Sequence, residues 1–477
     1  MLLFWACRYD VGDSFRDGGH PVCSQKAKRG CFPTIGAAIT AAQPGDTINV
    51  AHGTYREQVL IRKSGLSLIG DNAANTIIDA SSSITPNGNG VGIYVDGMSA
   101  LVDQIGKLKT PGTTELTGIR NVVIQGFTVA NAPFEGILAT NAANVTIVDN
   151  RVTSNNRNLV VPTTPTGCPF IPAWETSEGF DCGEGIHLAA VHHSTVANNI
   201  VDHNAGGILL TDETGPNNDN LITGNVVTDN GYDCGITLAS HRPPAQRPPL
   251  LFGPVLVGGV PSETVAYGVY RNTVANNETS RNGLLVSGNG TGVGIFTSPG
   301  PGFFSTMQTA AYENVVIGNR IIGNGQPGVA MHAHKAGAIL TDNKVIGNYI
   351  AGNGADVADT ATAGPTGIII HAGASGAPLT GNVVIGNIVE REAIDVAIST
   401  SAQINVHLND LKGGGIGIAN LDNGSVNATL NWWGCSHGPQ APGCSTVQGN
   451  VVFTPWLTQS ANAGEKGEQA IAVITDE

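Results

Sequence analysis

Short apolar strands alternate along this chain with asparagine and glycine turns. The unit is an Asn, a short apolar strand, an Asn five residues later and then a Gly-apolar strand. Asn150/Asn155, Asn199/Asn204, Asn225/Asn230, Asn277/Asn282, Asn319/Asn324 and Asn348/Asn353 are such pairs. The strands that follow begin at Gly185-Ile186, Gly207-Ile208, Gly235-Ile236, Gly294-Ile295, Gly328-Val329 and Gly367-Ile368. β-Branched strands between Asn/Gly turns at this period predict a solenoid. Stacking puts equivalent positions in register, so aligning the repeats maps neighbours in space.

Strand side chains alternate faces. With the glycine as position zero, +1 and +3 are apolar: Ile186/Leu188, Ile208/Leu210, Ile236/Leu238, Val329/Met331 and Ile368/Ile370. These predict the core. The even positions are expected to face outward and hold a different set: His187 at +2, Thr211, Ser298, His332 and His371 at +4, and Glu213, His241, Gly300 and His334 at +6. Consecutive coils stack about 4.8 Å apart. Glu213 is thus predicted beside His241, and His332 beside His371, with Gly300 between His241 and His334. Five of the 12 histidines fall on this strip.

The ends break the pattern. Residues 1–32 read as irregular, and 33–74 as an N-terminal cap with the first coils. Thr34–Ala42 has Ala and Ile at helical spacing and stops before Pro44-Gly45-Asp46, which predicts a short helix covering the first open edge. The β-helix is expected over 75–425, with insertions at 156–183, 242–265, 299–311 and 354–366 that wall a groove beside the histidine strip. Residues 426–458 form a C-terminal cap in which Trp432, Trp433 and Trp456 cover the last core layer, and 459–477 a disordered tail. The recurrent asparagines are read as structural, stacking on one another, bonding backbone amides and tolerating the left-handed turn conformation.

Composition narrows the chemistry. The 477 residues carry 64 glycines, 13% charged and 41% hydrophobic residues, which suits stacked uncharged strands with a continuous core. A net charge of −14 with 23 Lys+Arg excludes a cationic nucleic-acid surface and disfavours naked polyuronates unless a cation bridges them. No apolar run is long enough to span a membrane. Eight cysteines without a CxxC pair point to disulfides, with Cys23/Cys31 and Cys435/Cys444 as short-range pairs and one pair among Cys168, Cys182 and Cys234. That favours an extracytoplasmic setting, although Met1–Ala6 is too short for the apolar region of an export signal.

The segment from Thr34-Ile35 through Ala41-Ala42-Gln43-Pro44-Gly45-Asp46-Thr47-Ile48 to Gly53-Thr54-Tyr55-Arg56-Glu57 resembles the N-terminal motif of the pectin-lyase-like superfamily. The Asn-x-Val-Ile-x-Asn repeats resemble its coils, and Asn431-Trp432-Trp433-Gly434 its C-terminal end. The resemblance implies an all-β, right-handed parallel β-helix. It also implies a range of activities: polysaccharide lyases, glycoside hydrolases, pectin esterases, uronate epimerases, tailspikes and copper-linked NosD-like proteins.

Three functions follow as expectations. The first is a secreted enzyme that cleaves glycosidic bonds of a polysaccharide or oligosaccharide by hydrolysis or elimination. Its candidate catalytic residues are Glu213 and His241, with Asp212, His187, His334 and Lys335 beside them. Asp212 and Glu213 are interchangeable at this stage. Trp174, Glu184, Arg242 and Asp395 are candidate substrate contacts. The second is a metal protein in which His332, His334 and His371 bind zinc or copper, with calcium a further option, otherwise no cofactor. The third is a non-catalytic glycan-binding scaffold. His192 and His193 read as solvated, and Cys234 as a disulfide partner.

Overall fold

The computed structural model describes residues 31–81, 90–100, 117–156, 183–241, 268–285, 290–298, 309–334, 336–357, 361–373 and 376–461, with the backbone alone of 19–22, 256–257 and 260–261. Most of insertions 156–183, 242–265 and 299–311 lie outside this set, as do tail residues 462–477 and Trp174, Arg242, Lys335, Cys23, Cys168 and Cys182.

Coil after coil of parallel strands forms one solenoid. One column of the first face runs Ile137, Ile186, Ile208, Ile236, Val293, Val329, Ile368, Val396 and Ile418, each paired with the next. A second face stacks Ile147, Val196, Ile222, Val274, Val316, Val345, Val384 and Val406. A third, separate sheet stacks Val152, Val201, Val227, Thr279, Ile321, Ile350, Val389 and Leu411. The expected +1 and +3 residues lie in this core. β-Branched side chains fit such columns because each stacks on a copy of its own shape.

One expected register is corrected. Ile236 pairs with Val293, so Gly292, not Gly294, occupies position zero of its coil. Both glycines precede an apolar residue, and a shift of two keeps every side chain on its face, so periodicity cannot separate them. The +4 position therefore holds Phe296, paired with His332, and Ser298 replaces Gly300 at +6.

Asparagine ladders run through the turns. Asn150, Asn199, Asn225, Asn277, Asn319, Asn348, Asn387, Asn409 and Asn431 form one. Asn319 is representative: its Oδ1 accepts from the backbone N and Nδ2 of Asn277 at 2.9 and 3.0 Å, and its Nδ2 donates to Val274 O and to Asn348 Oδ1. A second ladder descends from Asn155 to Asn353, and a third from Asn220 to Asn382. The left-handed conformation belongs to the residue before each rung: Asn198, Gly224, Asn276, Gly318, Gly347 and Gly386 have φ between 54° and 68°. The ladder asparagines themselves stay at negative φ, because their task is hydrogen bonding.

The second ladder ends on Glu392, whose Oε1 accepts from Asn353 N and Nδ2, both at 3.0 Å. Burial pushes this carboxyl up to about 7 from an ordinary 4.5, against the Asn353 hydrogen bonds that lower it. The folded state thus binds the proton more tightly than the unfolded chain. Stability linked to Glu392 is full below about pH 4.5 and is lost as pH rises through about 7. Glu392→Gln keeps an acceptor for Asn353. We expect thermal midpoints equal to wild type at pH 4 and higher than wild type at pH 8; equal midpoints at both would refute this.

Both ends are closed. The Ile35–Ala41 helix buries Ile35, Ala38 and Ile39 over the first coil. The Thr34 side chain caps it, and Glu57 accepts from Ile35 N and Gly36 N at 2.8 and 3.0 Å. Lys63 Nζ donates to the carbonyls of Ile39, Thr40 and Ala42 at the other end. The Glu57 of the N-terminal motif thus satisfies helix amides that would otherwise be orphaned. At the far end Trp433 is fully buried against Phe453, which packs on Trp456. Cys435 and Cys444 form a disulfide there, and Cys31 is disulfide-bonded as well. Cys234 is a buried free thiol, not a disulfide partner; it sits just before the Ile236–Ser240 strand beside Asp233, Thr237 and the Thr291 backbone.

Candidate active site

The strip expected to be solvent-facing is buried. His187, Asp212 and Glu213 have no exposed surface, and Glu184, His241 and His332 at most 3%. The outer face of the first sheet is itself packed, with apolar clusters around Phe134, Leu138 and Ala189 and around Ala330, Ile369 and Ala397. His187, His241 and His332 are interior groups, which makes their partners decisive, while His334 and His371 are part-exposed.

The first group spans four consecutive coils. His187, in the Glu184–His192 strand, places Nδ1 2.6 Å from Glu135 Oε1 and Nε2 2.9 Å from Thr211 Oγ1. Thr211 ends the Gly206–Thr211 strand and hydrogen-bonds Glu213. Glu213 Oε1 lies 3.0 Å from His241 Nδ1. One polar chain therefore runs Glu135–His187–Thr211–Glu213–His241 across the coils.

Asp212 and Glu213 do not exchange roles. Ser240 Oγ donates to Asp212 Oδ2 at 2.8 Å and His241 N to Oδ1 at 2.7 Å, so Asp212 ties its coil to the next. Burial, then the neighbouring Glu213 charge, pushes its carboxyl up to about 6. Burial also works to raise Glu213, but the His241 hydrogen bond and charge, with His187 beyond, hold it below the usual carboxylate range. Burial drives Glu135 upward and Glu184 well upward, and the charges of Glu135 and Asp233 push Glu184 further. The environment thus pushes the buried carboxyls in opposite directions, Glu213 down and Glu184 up.

Glu135 is the site residue that the repeat alignment missed. The signal was present: Glu135-Gly136-Ile137 copies Glu184-Gly185-Ile186, and Ile137 pairs with Ile186. That register stacks the two glutamates on adjacent coils. Gly206 pairs with Glu184 in the next coil and leaves the space beside its carboxyl without a side chain.

The second group is separate. His332 and His371 pair in register, with ring centroids 4.4 Å apart, and His334 lies 4.9 Å from His332. His332 Nδ1 is 3.7 Å from Asp356 Oδ2, inside the 354–366 insertion. Among the described residues, the one set of three or more candidate ligands whose donor atoms lie within 4.8 Å of one another is Glu135, Glu184 and His187, not the three histidines. The three imidazoles are tilted against one another by 56° and 55°, an edge-and-face packing of rings rather than a set of converging donors.

Other expected members fall elsewhere. Asp395 stands at position zero, paired with Gly367, five coils beyond Gly207. It is fully buried, accepts from Gly413 N at 3.2 Å, and burial raises its carboxyl well above the usual range. It is not brought to Glu213. His192 is buried rather than solvated, with Nε2 2.6 Å from Thr117 Oγ1, because the strand carrying it continues around the corner; His193 remains exposed.

Residues 64–245 match the family model described as right handed beta helix region, and the coils seen over that stretch are such a domain. No curated protein matches the chain. Among solved structures, it is similar to the catalytic unit of a thermostable GH87 α-1,3-glucanase from Streptomyces thermodiastaticus, at 14% identity, 94% of this chain, 70% of that chain and TM-score 0.49. It is also similar to the mannuronan C-5 epimerase AlgE4 A-module of Azotobacter vinelandii, at 15% identity, 89% and 93% coverage and TM-score 0.42. An alginate lyase from a Paenibacillus species follows at 15% identity, 87% and 95% coverage and TM-score 0.35. These neighbours are carbohydrate-active β-helix proteins of low identity to this chain. No helix among the described residues is long and apolar enough to cross a membrane.

Proposed function

We propose that this protein is an extracytoplasmic enzyme that cleaves glycosidic bonds of a polysaccharide by general acid–base chemistry on the first face of the solenoid. The observation that carries the reading is the buried Glu213–His241 pair, 3.0 Å apart and joined through Thr211 to His187 and Glu135. A carboxylate that orients and charges an imidazole makes it a proton-transfer group near neutral pH. Carboxyls whose proton affinities are pushed apart in one cluster are the arrangement from which acid and base roles are drawn. A solenoid face repeats equivalent positions along its axis, which suits a linear polymer. The Cys435–Cys444 disulfide supports the oxidising compartment.

The excess of carboxyl groups favours hydrolysis of neutral or esterified glycans over elimination from polyuronates, which such a cluster would repel. The test is a panel of neutral, esterified and uronate glycans, read for reducing ends and separately for the absorbance of unsaturated products. We expect reducing ends without unsaturation. Glu213→Gln and His241→Ala should each lower kcat by about 10²–10⁴-fold with the fold intact by circular dichroism. Full activity in both variants would remove the assignment. Unsaturated products would replace hydrolysis by elimination.

A further inference from the structure

We propose that Glu135, Glu184 and His187 hold a divalent transition-metal ion, of the zinc or manganese kind, at the start of the polar chain. The inference concerns the same face as the proposed activity and shares Glu135 and His187 with its polar chain, while Glu184 lies outside that chain.

Geometry comes first. Glu135 and Glu184 precede position zero on consecutive coils, and His187 projects at +2 from the second of them. Their donor atoms all lie within 4.8 Å of one another, and all three residues are at most 2% exposed. The second, independent observation is what the carboxylates lack. Among the described residues, no amide, imidazole or hydroxyl donates to Glu135 Oε2 or to either oxygen of Glu184, all of which are buried. A buried carboxylate normally collects about two or three donors in all, and leaving its oxygens bare is costly.

Charge gives the third argument. Glu135, Glu184, Asp212 and Glu213 surround two imidazoles, His187 and His241. Even with both imidazoles protonated, four carboxylates would leave two negative charges. No Lys or Arg among the described residues pairs with Glu135, Glu184 or Glu213. A divalent cation supplies the missing charge where it is needed, beside Glu184.

The donor set selects the ion. Two carboxylate oxygens and one imidazole nitrogen suit zinc or manganese better than calcium, which collects six to eight oxygens. His187 would bind through Nδ1, the nitrogen that faces Glu135, while its Nε2–H donates to Thr211 Oγ1. A hydrogen bond on the second ring nitrogen is what fixes a ligating histidine in place. Three protein ligands leave a position open for water or substrate.

The test uses the full chain, purified without a histidine tag, stripped with EDTA, and dialysed against zinc or manganese, with calcium in parallel. Elemental analysis is expected to find about one equivalent of zinc or manganese, and the metal to raise the thermal midpoint as a ligand of the folded state does. Glu184→Gln and Glu135→Gln, which keep side-chain volume, should weaken binding at least ~100-fold and abolish the thermal shift. His332→Ala should bind as wild type. Three results would overturn the proposal: no stoichiometric metal in wild type, binding that survives Glu184→Gln, or loss of metal in His332→Ala alone. If wild type binds no metal and Glu184→Gln is the more stable protein, the two glutamates share a proton instead. The readout needs no substrate, so its failure leaves the glycosidase reading standing, and an inactive protein can still pass it.

Discussion

Asn319→Ala should lower the unfolding free energy by about 3–5 kcal/mol, a loss in the range reserved for broken buried networks. The rung is mid-ladder and almost fully buried. Removing the amide strands the backbone N and Nδ2 of Asn277, which lose their acceptor, and Val274 O, which loses a donor. Each buried orphan costs about 1–3 kcal/mol, and the alanine leaves too little polar surface to recruit compensating groups. Because coils contact only their neighbours, the damage falls on the interfaces either side of this rung rather than on the whole stack. Urea denaturation of wild type and variant measures the difference. A loss below about 1 kcal/mol would mean that water replaces the amide and that the ladder contributes little to stability.

Gly207→Ala should be worse, at least about 4 kcal/mol or no soluble protein at all. A Cβ at this corner would overlap the carbonyl oxygen of Gly235 in the next coil and Cγ1 of core Val227. Both obstacles are held by the coil stack, one of them backbone, so neither can move without changing the spacing between coils. The comparison variant is Gly347→Ala. Gly347 has φ 61° but nothing within 4 Å of its added Cβ, so only the left-handed penalty of about 1–2 kcal/mol applies. Soluble yield and denaturation midpoints of the two separate close approach from backbone conformation. Equal losses would show that the close approach at position zero relaxes at little cost.

These two residues also show why the fold could be read directly. A solenoid writes its contacts into the period of the sequence, so Asn225, Asn277 and Asn319 announce their stacking by their spacing. The core columns follow from the +1/+3 alternation, and the capping helix from Thr34 through Ala42. Locating Glu213 beside His241 needed nothing more than counting six residues from Gly207 and Gly235. Glu135 was equally legible in the repeated Glu-Gly-Ile triplet, but its coil lacked the paired asparagines that defined the alignment.

What the tertiary structure alone decided is burial, register at ambiguous glycines, and the direction of side chains. Alternation assigns a face, not its solvent exposure, so the outward strip read as a surface although it is interior. Gly292 and Gly294 offer the same pattern two residues apart, and only strand pairing chooses between them. His332, His334 and His371 share a column or a strand and pack ring against tilted ring, while among the described residues it is two glutamates and His187 from adjacent coils whose donor atoms come within 4.8 Å of one another. Sequence periodicity fixes which positions are neighbours along a solenoid. Whether neighbours share a proton or a metal ion depends on rotamer and dielectric, which exist only once the coils are stacked.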